Sequence, residues 1–308
     1  MVKTQIYIPS RQNGWILDRL ALDLQTLTNG KIIKVPVLRR EFFLFLKYIF
    51  RPRSKNLIFL HHTLFINMFG NSTASDNCKT SVFFTHQSNL DPTELSRLKP
   101  LASASKIVVC STEIKNFLLS NIGNHMDHKI MPKVGGADLS YFSNLNFQRN
   151  PKSVIMVSKY TGRKRPDLIL RTVQTNPDFS FLLHGKGWVG TDIHAKLIGY
   201  PNFIYSEFDF AKANLLFNSS FTFLSLSDVE GAPMPALEAL ASGCRVVLTN
   251  TGFATDLEAL SLSVKKIQVN PSEEQVRNSL LASLTMPSPA PALRESISYE
   301  SFLKEFAL

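Results

Sequence analysis

Ser227-Asp228-Val229-Glu230-Gly231-Ala232-Pro233-Met234-Pro235-Ala236-Leu237-Glu238-Ala239-Leu240-Ala241-Ser242-Gly243-Cys244 is the stretch on which the fold turns. An apolar, β-rich run at 222–226 delivers it, and a helical run at 235–241 follows, whose early turn carries a second carboxylate. Pro235 suits the first helical position, where an N–H has no partner to lose. The order is therefore strand, loop, helix. In α/β proteins such a loop lies at a strand's carboxyl end beside a helix N-terminus, a site for anionic and polyhydroxylated ligands. Backbone N–H groups there suit a diphosphate, while Glu230 and Glu238 suit sugar hydroxyls. On these residues alone, a capped helix with a solvated glutamate is an equal reading.

The same grammar extends in both directions. Downstream, 245–248 reads as another strand. Upstream, 153–157, 179–183 and 202–204 read as strands with a helix at 166–175. The first half offers strands at 5–8, 32–37, 56–60, 81–85 and 106–110, with helical spacing over 14–28. Alternation of this kind predicts mainly parallel sheets flanked by helices, here as two α/β domains in tandem. A polar stretch at 143–152 interrupts the pattern and marks the expected boundary, and a final helix is expected near 299–306.

Length and composition agree: 308 residues with 44% hydrophobic content suffice for two cores. Cys78, Cys110 and Cys244 are widely spaced and odd in number, which argues against a disulfide framework or a structural zinc site. No apolar run reaches the length of a membrane span, and Met1 leads directly into a strand instead of a signal peptide. A cytoplasmic protein is expected. The net charge of +10 comes from one half: residues 1–150 hold 19 Lys/Arg against 9 Asp/Glu, and residues 151–308 hold 15 against 15. Within that half, 39–55 sets six basic residues around an aromatic-rich core, suited either to an anionic membrane face or to a buried helix with basic ends. The sequons at Asn71 and Asn218 are read as incidental.

A second cationic segment, Val157-Ser158-Lys159-Tyr160-Thr161-Gly162-Arg163-Lys164-Arg165-Pro166, stands between a strand and a helix. Fixed cations of this kind neutralise the charge developing on a departing diphosphate without a metal. Together the two segments resemble the retaining GT-B glycosyltransferases of family 4 (group 1). Glu230 and Glu238 hold the positions of the Glu-x7-Glu signature, and Lys159 and Lys164 those of the Arg and Lys in V-G-R-L-x-x-x-K-G. Gly136-Ala137-Asp138 with Phe142 is similar to the turn that ends the first domain, Val108–Lys115 to V-x-x-x-S-E-x-x-K, the strand ending at His86 to one whose histidine faces the donor, and Tyr299-Glu300 to the closing W-E helix.

The resemblance implies a GT-B fold, two Rossmann-like domains facing across a cleft. Residues 1–147 would bind the acceptor, 148–295 the nucleotide sugar, and helix 296–308 would pack back on the first domain. Catalytic roles fall to Glu230, His86 and Lys164. Donor contacts fall to Lys159, Arg163, Asn13, Gly14, Gly185, Tyr205, Gly231, Ala232, Met234, Pro235 and Glu238. Two departures stand out: only Gly14 represents a Gly-Gly pair, and Pro233 replaces a glycine and has no N–H to offer, whereas the N–H of Met234 stays available. Arg163 or Arg165 is expected to compensate for lysine at 159. His61 and His62 follow a strand and are read as packed or as lining the acceptor side.

Gly185-Lys186-Gly187-Trp188-Val189-Gly190 spells G-x-G-x-x-G after a strand. A dinucleotide site needs a helix starting in the loop and an acid closing the next strand. Residues 191–195 read as a poor helix, and Glu207 falls in a turn-like segment, so the loop is assigned to the nucleotide end of a donor site instead.

The expected activity is metal-independent transfer from a UDP- or GDP-sugar, as co-substrate with no cofactor, to a hydroxyl of a glycan or lipid-linked acceptor, with 39–55 as a contact to an anionic membrane. No nucleic acid is expected. The competing readings are a non-catalytic basic α/β module that binds nucleic acid or another polyanion and a sugar-nucleotide epimerase or hydrolase on the same fold.

Overall fold

Apolar strands that are buried on both faces need a helix layer on each side, and the connections here supply it. The computed structural model describes residues 4–10, 16–35, 54–69, 78–84 and 95–307. Asn13, Gly14, His86 and nearly all of 39–55 lie outside these. The chain divides into two units, Met1–Lys133 with Ser301–Leu308, and Val134–Glu300.

The first unit holds β1 (Thr4–Pro9), β2 (Lys31–Val35), β3 (Asn56–Phe59), β4 (Lys79–Phe84), β5 (Lys106–Val109) and β6 (Ile130–Pro132). They form one sheet in the order β2-β1-β3-β4-β5-β6, and every pair is parallel. Helices Ile16–Thr28, His62–Phe69 and Thr112–Ile122 make crossovers. Ser111 caps the last, its hydroxyl accepting from the N–H of Ile114 at 3.2 Å. Tyr7 stacks on Phe59 at 4.7 Å, and Phe65 meets that ring edge-on at 5.4 Å. The C-terminal residues belong to this unit: Phe302 and Phe306 pack on Phe83 at 5.9 and 5.4 Å, and Lys106 pairs with Glu305 at 2.9 Å.

The second unit holds β7 (Ser153–Lys159), β8 (Ser180–Lys186), β9 (Phe203–Glu207), β10 (Thr222–Ser225), β11 (Arg245–Thr249) and β12 (Val264–Ile267). Their order is β12-β11-β10-β7-β8-β9, again all parallel. Strands added after β7 go to one side and strands from β10 onward to the other. The order therefore reverses between β7 and β10, which leaves a crevice at their carboxyl ends.

The change of unit falls at Val134, ahead of the expected 143–152. Those polar residues are bonded to the second unit: Asn218 accepts from the N–H of Leu145 at 2.7 Å and donates to the carbonyl of Ser143 at 2.8 Å, and Phe142 packs on Phe217 at 6.0 Å. Asn218 is fully buried, and Asn71 lies outside the described residues. The sequence reading missed β6 and β12, both short sheet edges. One ends in proline and the other carries Lys265-Lys266 at its centre.

Candidate functional site

Two loops flank the crevice of the second unit, 160–165 after β7 and 226–233 after β10, and they are tied together. Asp228 donates its N–H to the carbonyl of Arg163 at 2.8 Å, and the Arg163 guanidinium reaches the carbonyl of Val229 at 3.0 Å. Thr249, at the end of β11, donates to the carbonyl of Ser227 at 2.6 Å and braces the loop from behind.

Glu230 is the centre of this arrangement. Its side chain is only 7% exposed, yet two cations meet it: Arg163 at 2.8 Å on one oxygen and Lys164 on the other. Burial alone pushes the carboxyl up, but the Lys164 charge and hydrogen bond, the Ser227 hydroxyl and the Arg163 charge outweigh it and hold the group below its ordinary value. Glu230 is therefore a fixed carboxylate. Arg165 makes a second clasp, reaching Asp228 at 3.0 Å, Asp167 at 3.1 Å and the side chain of Asn270. It does so from a left-handed backbone, φ 50° and ψ 59°. The two arginines thus hold the loops to each other, while Lys159 at the end of β7 is exposed, its ammonium without a partner among the described residues. The register pairs Lys159 with Lys186 at the end of β8, a second exposed ammonium that the sequence reading passed over.

The loop before helix Met234–Ala241 differs from expectation at one atom. The N–H of Met234 is not available, because it donates to the carbonyl of Ala232 at 2.8 Å. Pro233, with φ −71° and ψ 72°, is the centre of this inverse γ-turn. Pro235 occupies the second helical position, not the first. The neighbouring N–H groups of Glu230, Gly231 and Ala232 are among those of the loop that make no hydrogen bond to the described residues. Glu238 lies half-buried further along the helix. One contributor escaped the sequence reading altogether: Gly252, at φ +58°, where a Cβ would stand 2.9 Å from the Gly231 carbonyl and 3.0 Å from Pro233.

The loop after β8 corrects the sequence reading twice. A helix does start there, Asp192–Leu197, capped by the Thr191 hydroxyl, and Glu207 does close a strand, β9. Topology still sets a dinucleotide fingerprint aside, since β8 lies between β7 and β9 and not at the reversal of the sheet. Gly185 has a packing cause: a Cβ there would meet the Ser158 carbonyl at 2.6 Å and Trp188 at 2.7 Å, and Trp188 donates to that same carbonyl at 2.9 Å. The Tyr205 hydroxyl donates to Glu207 at 2.6 Å and lies 3.0 Å from the Gly185 carbonyl. Burial, then the Glu207 bond, raises its pKa.

In the first unit the sheet order reverses between β1 and β3. His61 and His62 follow β3 there, stacked on each other at 4.8 Å, with His62 on Phe84 at 4.2 Å and the Thr63 hydroxyl on His61 Nδ1 at 2.7 Å. His86, Asn13 and Gly14 lie outside the described residues. Buried Cys110 and Cys244 have thiols pushed up to about 12 by burial, so neither supplies a thiolate.

Residues 140–275 match the family model for glycosyl transferases group 1, a span that lies within the second unit. No curated protein matches the sequence. Among solved structures, a glycosyltransferase from Rickettsia africae ESF-5 is 14% identical with a TM-score of 0.73, covering 99% of this chain and 96% of its own. A sucrose-phosphate synthase from Thermosynechococcus elongatus is 12% identical with a TM-score of 0.73, over 99% of this chain and 97% of its own. Anabaena HepE, solved with UDP and glucose, is 11% identical with a TM-score of 0.73, over 100% of this chain and 98% of its own. The fold is GT-B, and the matched domain is one of glycosyl transfer.

Proposed function

We propose that the chain moves a sugar from a nucleotide-sugar donor to a hydroxyl of a glycan or lipid-linked acceptor, with retention of anomeric configuration and without a metal. The observation that carries this reading is Glu230: a nearly buried carboxylate held ionised by Lys164 and Arg163 at the reversal point of a six-stranded parallel sheet.

Each group has a role in that reaction. Glu230 accepts hydrogen bonds from donor-sugar hydroxyls, and its two cations set its orientation. The N–H groups of Glu230, Gly231 and Ala232 line the phosphates, with Lys159 and Lys186 adding charge. Glu238 takes the ribose, and Gly185 and Tyr205 lie toward the base. As the bond from C1 to the diphosphate oxygen breaks, its electron pair passes to the diphosphate. The acceptor oxygen bonds to C1 on the same face, and its proton passes to that departing oxygen. No side chain is required as a covalent nucleophile, and the protonated thiols agree with this. Asn13, Gly14 and His86 complete the reading with the roles that the resemblance gives them, donor phosphates for the first two and the sugar for the third.

UDP-glucose is the donor to try first, given the UDP and glucose bound by HepE. A thermal-shift series with UDP-, GDP-, ADP- and CMP-sugars identifies the donor, since a ligand of the folded state raises its stability. NMR of the first product then gives the anomer. Turnover unchanged in folded Glu230→Ala and Lys164→Ala variants refutes the site, and an inverted product refutes retention alone.

A further inference from the structure

We propose that the amino-terminal edge of the first unit's sheet is a docking surface for an anionic lipid bilayer. Lysine begins or immediately precedes every strand of that sheet. Lys31, Lys79 and Lys106 are the first residues of β2, β4 and β5, and Lys55 and Lys129 stand directly before β3 and β6. Lys3 precedes β1 in the sequence. The strands are parallel, so the five described lysines, from β2 at one side to β6 at the other, line one edge, spread over five inter-strand intervals or about 24 Å.

Little neutralises them. Lys106 pairs with Glu305 at 2.9 Å, whereas the ammoniums of Lys31, Lys55, Lys79 and Lys129 have no partner among the described residues. Lys31, Lys55 and Lys79 are exposed, and Asp127 beside β6 is taken by Lys115 at 2.9 Å. Sheets of this kind place helix carboxyl ends at the same edge, which favours cations there in general. The second unit shows how little that alone requires. Its six strands begin with Ser153, Ser180, Phe203, Thr222, Arg245 and Val264; Arg245 stacks on Phe221 at 4.0 Å, and Lys152 is paired with Asp178 at 2.9 Å.

The chemistry of the row favours lipid over nucleic acid. Recognition of single strands uses exposed aromatic rings between the cations. Among the described residues of this unit the large exposed apolar side chains are Leu22, Leu27 and Met131, none of them aromatic. Leu27 lies in the last turn of helix Ile16–Thr28, four residues before Lys31, where an aliphatic side chain suits a lipid interface. Ammonium groups act as point charges toward headgroups and provide no bidentate fork for a base edge. The row also lies opposite the carboxyl ends of the strands, so a docked bilayer leaves that end of the sheet open.

The test is flotation of the full chain with phosphatidylcholine vesicles, with or without phosphatidylglycerol in equal parts. Wild type is expected on the anionic vesicles only, with binding that weakens as salt rises. A lysine near such a surface contributes roughly fivefold, so Lys31→Gln, Lys55→Gln and Lys79→Gln together are expected to cost about 100-fold at low salt. A control with Lys196→Gln, Lys212→Gln and Lys265→Gln removes equal charge from the second unit and is expected to bind as wild type does. Circular dichroism melts verify that both variants fold. The proposal is overturned if wild type does not float, if the first variant floats undiminished, if the control falls equally, or if a single-stranded oligonucleotide binds the row while vesicles do not.

Discussion

Glu230 meets Lys164 and Arg163 with one nearly buried carboxylate, so removing its charge strands a cation as well as taking away the donor contact proposed for it. Glu230→Gln is expected to lower kcat/KM about 100-fold, the scale of one preorganised electrostatic contact. Its stability should fall by about 2–3 kcal/mol, because water screens Arg163, at 48% exposed, but much less so Lys164, at 16%. Steady-state kinetics and urea midpoints check both. Arg165 presents the opposite balance, a side chain in a backbone region that glycine favours. Arg165→Gly loses the clasp on Asp228 and Asn270 but keeps the left-handed geometry, whereas Arg165→Ala loses both. The alanine variant should be less stable than the glycine variant by about 1 kcal/mol in the same denaturation assay. Gly252→Ala pushes a methyl at the Gly231 carbonyl from the far side of the loop. It is expected to raise the donor KM about tenfold while leaving the fold intact, at a cost of the order that local strain imposes. Motif reading singled out Glu230 and Lys164, which the structure brings into contact, because their residue types are chemical. Gly252 carried no such signal, since its role exists only once the loop after β11 comes against the loop after β10.

Several ion pairs join elements of the second unit, and one cluster makes it sensitive to acid. Asp178, before β8, is held at about 2 by Arg277 on helix Glu273–Ser283 and then by Lys152 ahead of β7, against an ordinary value of 3.8. A depressed carboxyl stabilises the fold above its unfolded value and loses that contribution as the pH falls through its folded one. Stability measured between about pH 5 and pH 2 should therefore drop through this window. Asp178→Asn should flatten part of the drop while sparing the fold. At this scale the sequence was legible where a strand has a continuous apolar centre, Ile6–Ile8 in β1 and Val154–Val157 in β7. It was less legible at sheet edges. β12 alternates poorly because its central lysines are half-exposed, and helix Asp192–Leu197, only six residues long, depends on the Thr191 cap more than on any apolar stripe.

On the scale of the molecule, two cores of separate composition imply two folding units, and only one of them holds Glu230. A donor present at about one hundred times its Kd should stabilise its unit by about 2.7 kcal/mol. Calorimetry with UDP-glucose is expected to move one transition if the units melt separately, and a shift of the other transition alone would contradict the site. What the sequence by itself determined was the alternation of strands and helices, the doubling of the α/β pattern, and the chemistry of the loops at 159–165 and 227–238. These follow from local periodicity and residue type, which act over a few neighbours. Only the tertiary structure decided that β10 pairs with β7 rather than with β9. That pairing brings Arg163, Lys164 and Arg165 against Asp228 and Glu230. The pairing of β7 with β8 left Lys159 and Lys186 side by side, and the first unit's sheet aligned its lysines along one edge. Such pairings join residues far apart along the chain. They are selected by burial of both sheet faces and by right-handed crossovers, forces that no short window of sequence contains.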